Sequence, residues 1–204
     1  CCCLPLFVLL FFQGSFSFPL WVLLTLAAAI PVGPAAAALS RVTCSMVRDL
    51  PIGAFRDFWR AFRENFRQGA LFGLPSVACI LVMLNLLFSL LTAERASSFS
   101  FSLLMVSAFL FHAVGLYLFP LIANIQLPAG TILSNAVLLA FMGKGRTLAA
   151  SLLAGGLQLA ALFFFPYSAL FMVLLHFSFC SLLSSLWVWP VIRRYAVKDP
   201  QDPS

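Results

Sequence analysis

Charge is what this sequence has least of. Asp, Glu, Lys and Arg make up 9% of its 204 residues, against roughly 25% in ordinary soluble domains. Apolar residues reach 63% and the mean hydropathy is +1.06, so too little polar surface exists to clothe a water-soluble globule. Lipid must be the solvent for much of the chain. Catalytic signatures are missing too: there is no P-loop, GxSxG, HExxH or paired-carboxylate motif. That excludes the ATPase of a transporter and leaves an enzyme no constellation to work with, so no activity and no cofactor are expected. An acidic–Ala–Ala–Gly permease loop is absent as well, which weighs against a direct ABC permease. The cysteines (Cys1, Cys2, Cys3, Cys44, Cys79, Cys180) form no CxxC or metal-type pairing and read as small apolar fillers.

What is there is grease in long runs. Continuous apolar stretches, rather than alternating ones, predict transmembrane helices and not a barrel, because a helix satisfies its own backbone in lipid. The fold class expected is all-α: one membrane domain, residues 1–204, with about five spans. These fall at 4–30, 70–92, 99–119, 148–165 and 169–192. The PVGP of Pro31 to Pro34 punctuates the end of the first, whose rival reading is a signal peptide cleaved near Ala27 to Ala29. The short apolar stretch 131–142, between LPAG and GKGR, cannot cross and is predicted interfacial or re-entrant. Five spans place eleven of the twelve Lys and Arg on one side, with Arg95 alone on the other. The positive-inside rule then puts the N-terminus outside and the C-terminus in the cytoplasm. Trp187, Trp189, Tyr195 and Tyr167 fit the interfacial ends of the last span.

Charge concentrates in one place, FRDFWRAFRENFRQG (Phe55 to Gly69). On a helix over 55–68, Phe55, Phe58, Trp59, Phe62 and Phe66 fill one sector about 100° wide. Arg56, Arg60, Arg63 and Arg67 form a row beside it, and Asp57, Ala61, Glu64, Asn65 and Gln68 fill the opposite side. Two roles compete for this cytoplasmic amphipathic helix. Its aromatics lie among headgroups while the arginines meet lipid phosphates, or its aromatics pack on the bundle while the arginines face a partner. Arg60 with Glu64, and Glu64 with Arg67, have the spacing of intrahelical ion pairs.

No Asp, Glu, Lys or Arg lies inside a predicted span, which weighs against proton- or ion-coupled transport. The polar groups within or near the spans are Asn85, His112, Gln158 and His176, with Asn124, Gln126 and several serines; the first four are the candidates for a site. Each reads first as a helix–helix hydrogen-bonding residue; the functional alternative gathers the four into a polar cavity for a hydroxyl-rich solute. Gly155 and Gly156, with Ala150 and Ala154, predict a close-packing face on the fourth span.

The run PVGPAAAAL (Pro31 to Leu39), then MVRD, then FRDFWRAFRENFRQG resembles the YesL family, the domain of unknown function 624. YLFPLIANI (Tyr117 to Ile125), the apolar stretch before GKGRTL, and WPVIRRY (Trp189 to Tyr195) extend the resemblance over residues 18 to 195. It implies a bacterial multi-spanning protein of the cytoplasmic (inner) membrane. It also implies, by association, an accessory role beside carbohydrate ABC transporter subunits. The resemblance carries over no catalytic residues. The partners expected are therefore membrane lipid and such subunits, not nucleic acid; the alternative is a small stand-alone transporter or channel.

Overall fold

The computed structural model describes residues 18–92, 98–125, 127–163 and 177–195. Every regular element among them is an α-helix, eight in all: α1 (Phe18–Ala29), α2 (Val32–Val47), α3 (Ala54–Glu64), α4 (Phe66–Thr92), α5 (Ser98–Asn124), α6 (Ala129–Met142), α7 (Lys144–Phe163) and α8 (Phe177–Tyr195).

The prolines of PVGP do not end the first apolar run. Pro31 is the N-cap of α2 and Pro34 lies in its first turn, where a missing N–H removes no intrahelical bond. As a result Leu23–Val47 forms a span-length apolar run of 25 residues. This run continues well past the Ile30 boundary expected from the sequence. Phe66–Leu87 and Ser98–Asn124 are also long and apolar enough to cross, and the bent pair Ala129–Met142 and Lys144–Leu157, at 98°, makes a fourth if counted as one span. The count of five also draws on residues 4–17 and 164–176, which lie outside those described.

Helix α2 is the centre of the bundle and touches α3, α4, α5 and α8. Its contact with α4 is backbone on backbone. A Cβ built on Gly73 would come within 2.8 Å of the Gly33 nitrogen, and one on Gly69 within 2.6 Å of the Pro34 Cα. Glycines four apart on α4 let the two axes approach this closely. Against α8 the same helix uses hydroxyls: the Thr43 Oγ1 lies 2.9 Å from the Ser185 Oγ and 3.1 Å from the Ser181 Oγ. The close-packing face expected on the fourth span is there only in part. Ala150 and Ala154 are buried, with Ser151 between them, but among the described residues a Cβ on Gly155 or Gly156 would meet nothing within 4 Å.

The core gathers Tyr117, Leu121 and Ile122 of α5 with Ile132, Ala136 and Leu139 of α6 and Val188, Val191 and Ile192 of α8. At the α6–α7 bend Gly143 has no room for a Cβ against Tyr117 and Thr147. The left-handed turn falls on Lys144, at φ 41°. A buried hydrogen bond of 2.7 Å between the hydroxyls of Tyr117 and Thr147 fastens this bend to α5.

Candidate functional site

Helix α2 ends in a tight stop. Asp49 adopts the left-handed conformation (φ 53°) while the Leu50 N–H donates to the Ser45 carbonyl, and Pro51 follows. The chain re-enters a helix at Gly53, whose N–H donates to the Asp57 Oδ2 at 2.9 Å. An acid in the first turn also suits the positive end of the α3 dipole.

Helix α3 is shorter than the 55–68 helix expected. It ends at Glu64, and α4 starts at Phe66. The break is at Asn65, whose side chain donates to the Ala61 carbonyl at 2.9 Å, a local bond that competes with regular helix. Orientation is settled by burial. Ala61 is 1% exposed, whereas Phe55 is 85% exposed. Trp59 and Phe66 are exposed too, and Phe58 and Phe62 half-buried. The side turned to the protein is thus the Ala61 side, and the aromatics form an outer ribbon. Within it Trp59 stacks on Phe62 at 5.4 Å between centroids, and Phe62 meets Phe66 edge-on at 5.6 Å.

The ion pairs also differ from those the spacing predicts. Arg60 binds Asp57 at 2.6 Å, and Glu64 binds Arg41 of α2 at 3.0 Å. Arg63 lies over the Trp59 ring at 5.3 Å. Because the helix breaks at Asn65, Arg67 leaves the row of Arg56, Arg60 and Arg63 and joins a different set of residues.

That set surrounds a cleft of about 730 Å³. Arg41, Ser45 and Arg48 come from α2, where spacings of four and three put them in one stripe. Glu64, Asn65, Arg67 and Gln68 come from the α3–α4 joint, and Ile122, Ala123, Asn124 and Leu127 from the end of α5. Arg41 is held twice, by Glu64 and by the Ala123 carbonyl at 3.4 Å. Gln68 donates to the Leu127 carbonyl at 3.1 Å. Arg48 stands over the Trp189 ring of α8 at 4.8 Å. Among the described residues neither Arg48 nor Arg67 has a carboxylate partner for its guanidinium. Three arginines against one glutamate leave the cleft with a formal charge of +2.

Of the intramembrane polar set, two side chains are described. Asn85 is exposed on α4; His112 is half-buried on α5, its Nε2 without a hydrogen-bond partner among the described residues. Gln158 lies on α7 with a side chain outside the description, and His176 lies outside the described residues. Neither Asn85 nor His112 lines the cleft. Among the described residues no three His, Cys, Asp or Glu assemble into a metal-binding group. Sequence reasoning missed Arg41, Ser45 and Arg48 as a site. Their shared helical face was the available signal, masked by reading those arginines only as topology markers.

A family model described as "Protein of unknown function, DUF624" matches residues 19–86, about a third of the chain. The match takes in α1 to α3 and most of α4, and so every cleft residue except those of the α5 end. No curated protein and no solved structure matches the chain.

Proposed function

For this chain as a DUF624 protein, we propose a non-enzymatic, multi-spanning accessory protein of the bacterial cytoplasmic membrane that works beside a carbohydrate ABC transporter. Helix α3 is its contact surface. One observation carries this: α3 buries Ala61 and presents Phe55, Trp59, Arg56 and Arg63 outward. A helix that served only to close the fold would bury its aromatics. This one leaves Phe55 and Trp59 exposed, with the arginine row beside them to meet an acidic partner surface or lipid phosphates.

The test is affinity purification of the full chain from membranes in mild detergent. Transporter subunits are expected to accompany the unmodified protein and to be lost when Arg56, Arg60 and Arg63 are changed together to Gln. If no subunit accompanies the unmodified protein, the accessory role falls. A second reading, a stand-alone transporter or channel for a sugar or other small solute, is favoured by the cleft, whose 730 Å³ would accept a small solute. Solute flux through the pure protein in liposomes would put that reading first.

A further inference from the structure

The cleft between α2, the α3–α4 joint and α5 is electrostatically incomplete. Glu64 is spoken for by Arg41, which it meets at 3.0 Å. Asn65 and Asn124 each donate to a carbonyl of their own helix, at 2.9 Å in both cases. That leaves Arg48, at the end of α2, and Arg67, at the start of α4, lining one space without a carboxylate partner among the described residues. An exposed lone arginine needs no explanation, because water solvates it. Two guanidiniums lining one concave space repel each other, and an anion bound there reduces that repulsion.

The chemistry of the walls narrows the anion. Arg48 is set in place by the Trp189 ring, 4.8 Å away, and Arg41 by its two acceptors, so part of the arrangement is rigid before anything binds. Guanidinium forks match the paired oxygens of phosphate and carboxylate, and a formal +2 accommodates a phosphodiester as well as a phosphate dianion. Ser45 and the cleft amides add neutral groups for whatever the phosphate carries, beside the apolar Leu50, Ile122 and Leu127.

We propose that this cleft is a phosphate-binding site, with Arg48 and Arg67 as the principal ligands and Arg41 as a positioned third. The phosphate belongs either to a lipid headgroup or to a soluble phosphorylated compound. These are two sources of one chemistry, and the experiment separates them.

The full-length protein in a nonionic detergent is titrated with inorganic phosphate at constant ionic strength while its thermal unfolding is followed. Phosphate should raise the unfolding temperature of the unmodified chain saturably. Half-saturation should weaken roughly tenfold in Arg67→Gln and in Arg48→Gln and stay unchanged in Arg146→Gln, which lies on α7 outside the cleft. Arg67→Lys should recover part of the loss, which separates a binding defect from a folding defect. In the second arm the protein is taken from nanodiscs of phosphatidylcholine with phosphatidylglycerol, and native mass spectrometry counts retained lipid. One phosphatidylglycerol held by the unmodified chain, lost from Arg67→Gln and displaced by phosphate, assigns the site to a headgroup. Phosphate stabilisation without retained lipid assigns it to a soluble ligand. No saturable stabilisation and no retained lipid overturns the proposal, as does an equal effect on Arg146→Gln and Arg67→Gln. The α3 contact is tested with Arg56, Arg60 and Arg63, so either idea can fail without the other.

Discussion

Gly69 and Gly73 show what a single residue decides in this protein. Each faces the backbone of α2 with no space for a methyl group, so any side chain must push two helices apart. Gly73→Leu is expected to cost about 1–3 kcal/mol or more through overpacking, read as a lowered unfolding temperature in detergent. Gly155→Ala supplies the comparison: among the described residues its Cβ meets nothing within 4 Å, and alanine is favoured over glycine in a helix by roughly 0.5–1 kcal/mol. It should therefore unfold at the same or a higher temperature. Equal destabilisation by the two changes would refute the backbone contact. The sequence reading placed close packing on Ala150, Ala154, Gly155 and Gly156, of which the two alanines are buried, and it passed over Gly69 and Gly73. Spacing states where close approach is allowed; only the partner helix, here Gly33 and Pro34 of α2, states where it happens. The same holds for Glu64. Its neighbours at helical spacing were visible, yet Arg41, 23 positions earlier, sits closer in space.

At the scale of the element, α3 was readable as an amphipathic helix with an aromatic sector and an arginine row, but not its orientation or its end. An aromatic sector serves equally to cover a core or to enter a bilayer, and periodicity is blind to the difference. The end depends on Asn65 bonding the Ala61 carbonyl, a local competition between side chain and backbone that a continuous charge pattern conceals. The outward ribbon predicts contact with acyl chains near the headgroups. In a variant that keeps Trp59 as its sole tryptophan, with Trp21, Trp187 and Trp189 changed to Phe, lipids brominated high on the acyl chain should quench the fluorescence strongly. Bromination near the chain terminus should quench it weakly. Emission unaffected by either lipid would mean that α3 stands off the membrane.

For the molecule as a whole, composition settled the helical class at once, because lipid permits little else for long apolar runs. Helix contacts were hidden for the same reason. In a chain that is 63% apolar, positions facing lipid and positions facing a neighbour look alike, so Leu103 lies exposed on α5 while Leu121 on the same helix is fully buried. The arginines carry the contrast instead. Arg41 and Arg48 near the end of α2, Arg67 at the start of α4, the Asn124 end of α5 and Trp189 near the end of α8 meet around one cleft. Helices α4 and α5 therefore run out from this basic end and back to it, so Thr92 and Ser98 lie away from the cleft. Basic loops favour the cytoplasm, so Gly53 is expected inside and Phe99, at the start of α5, outside. In a background whose native cysteines are replaced by Ser, Phe99→Cys should react with a membrane-impermeant maleimide on spheroplasts. Gly53→Cys should react only after permeabilisation. Labelling of both positions on intact spheroplasts would place the cleft on the bilayer's outer surface, and with it would go the orientation that lets α3 meet a cytoplasmic partner.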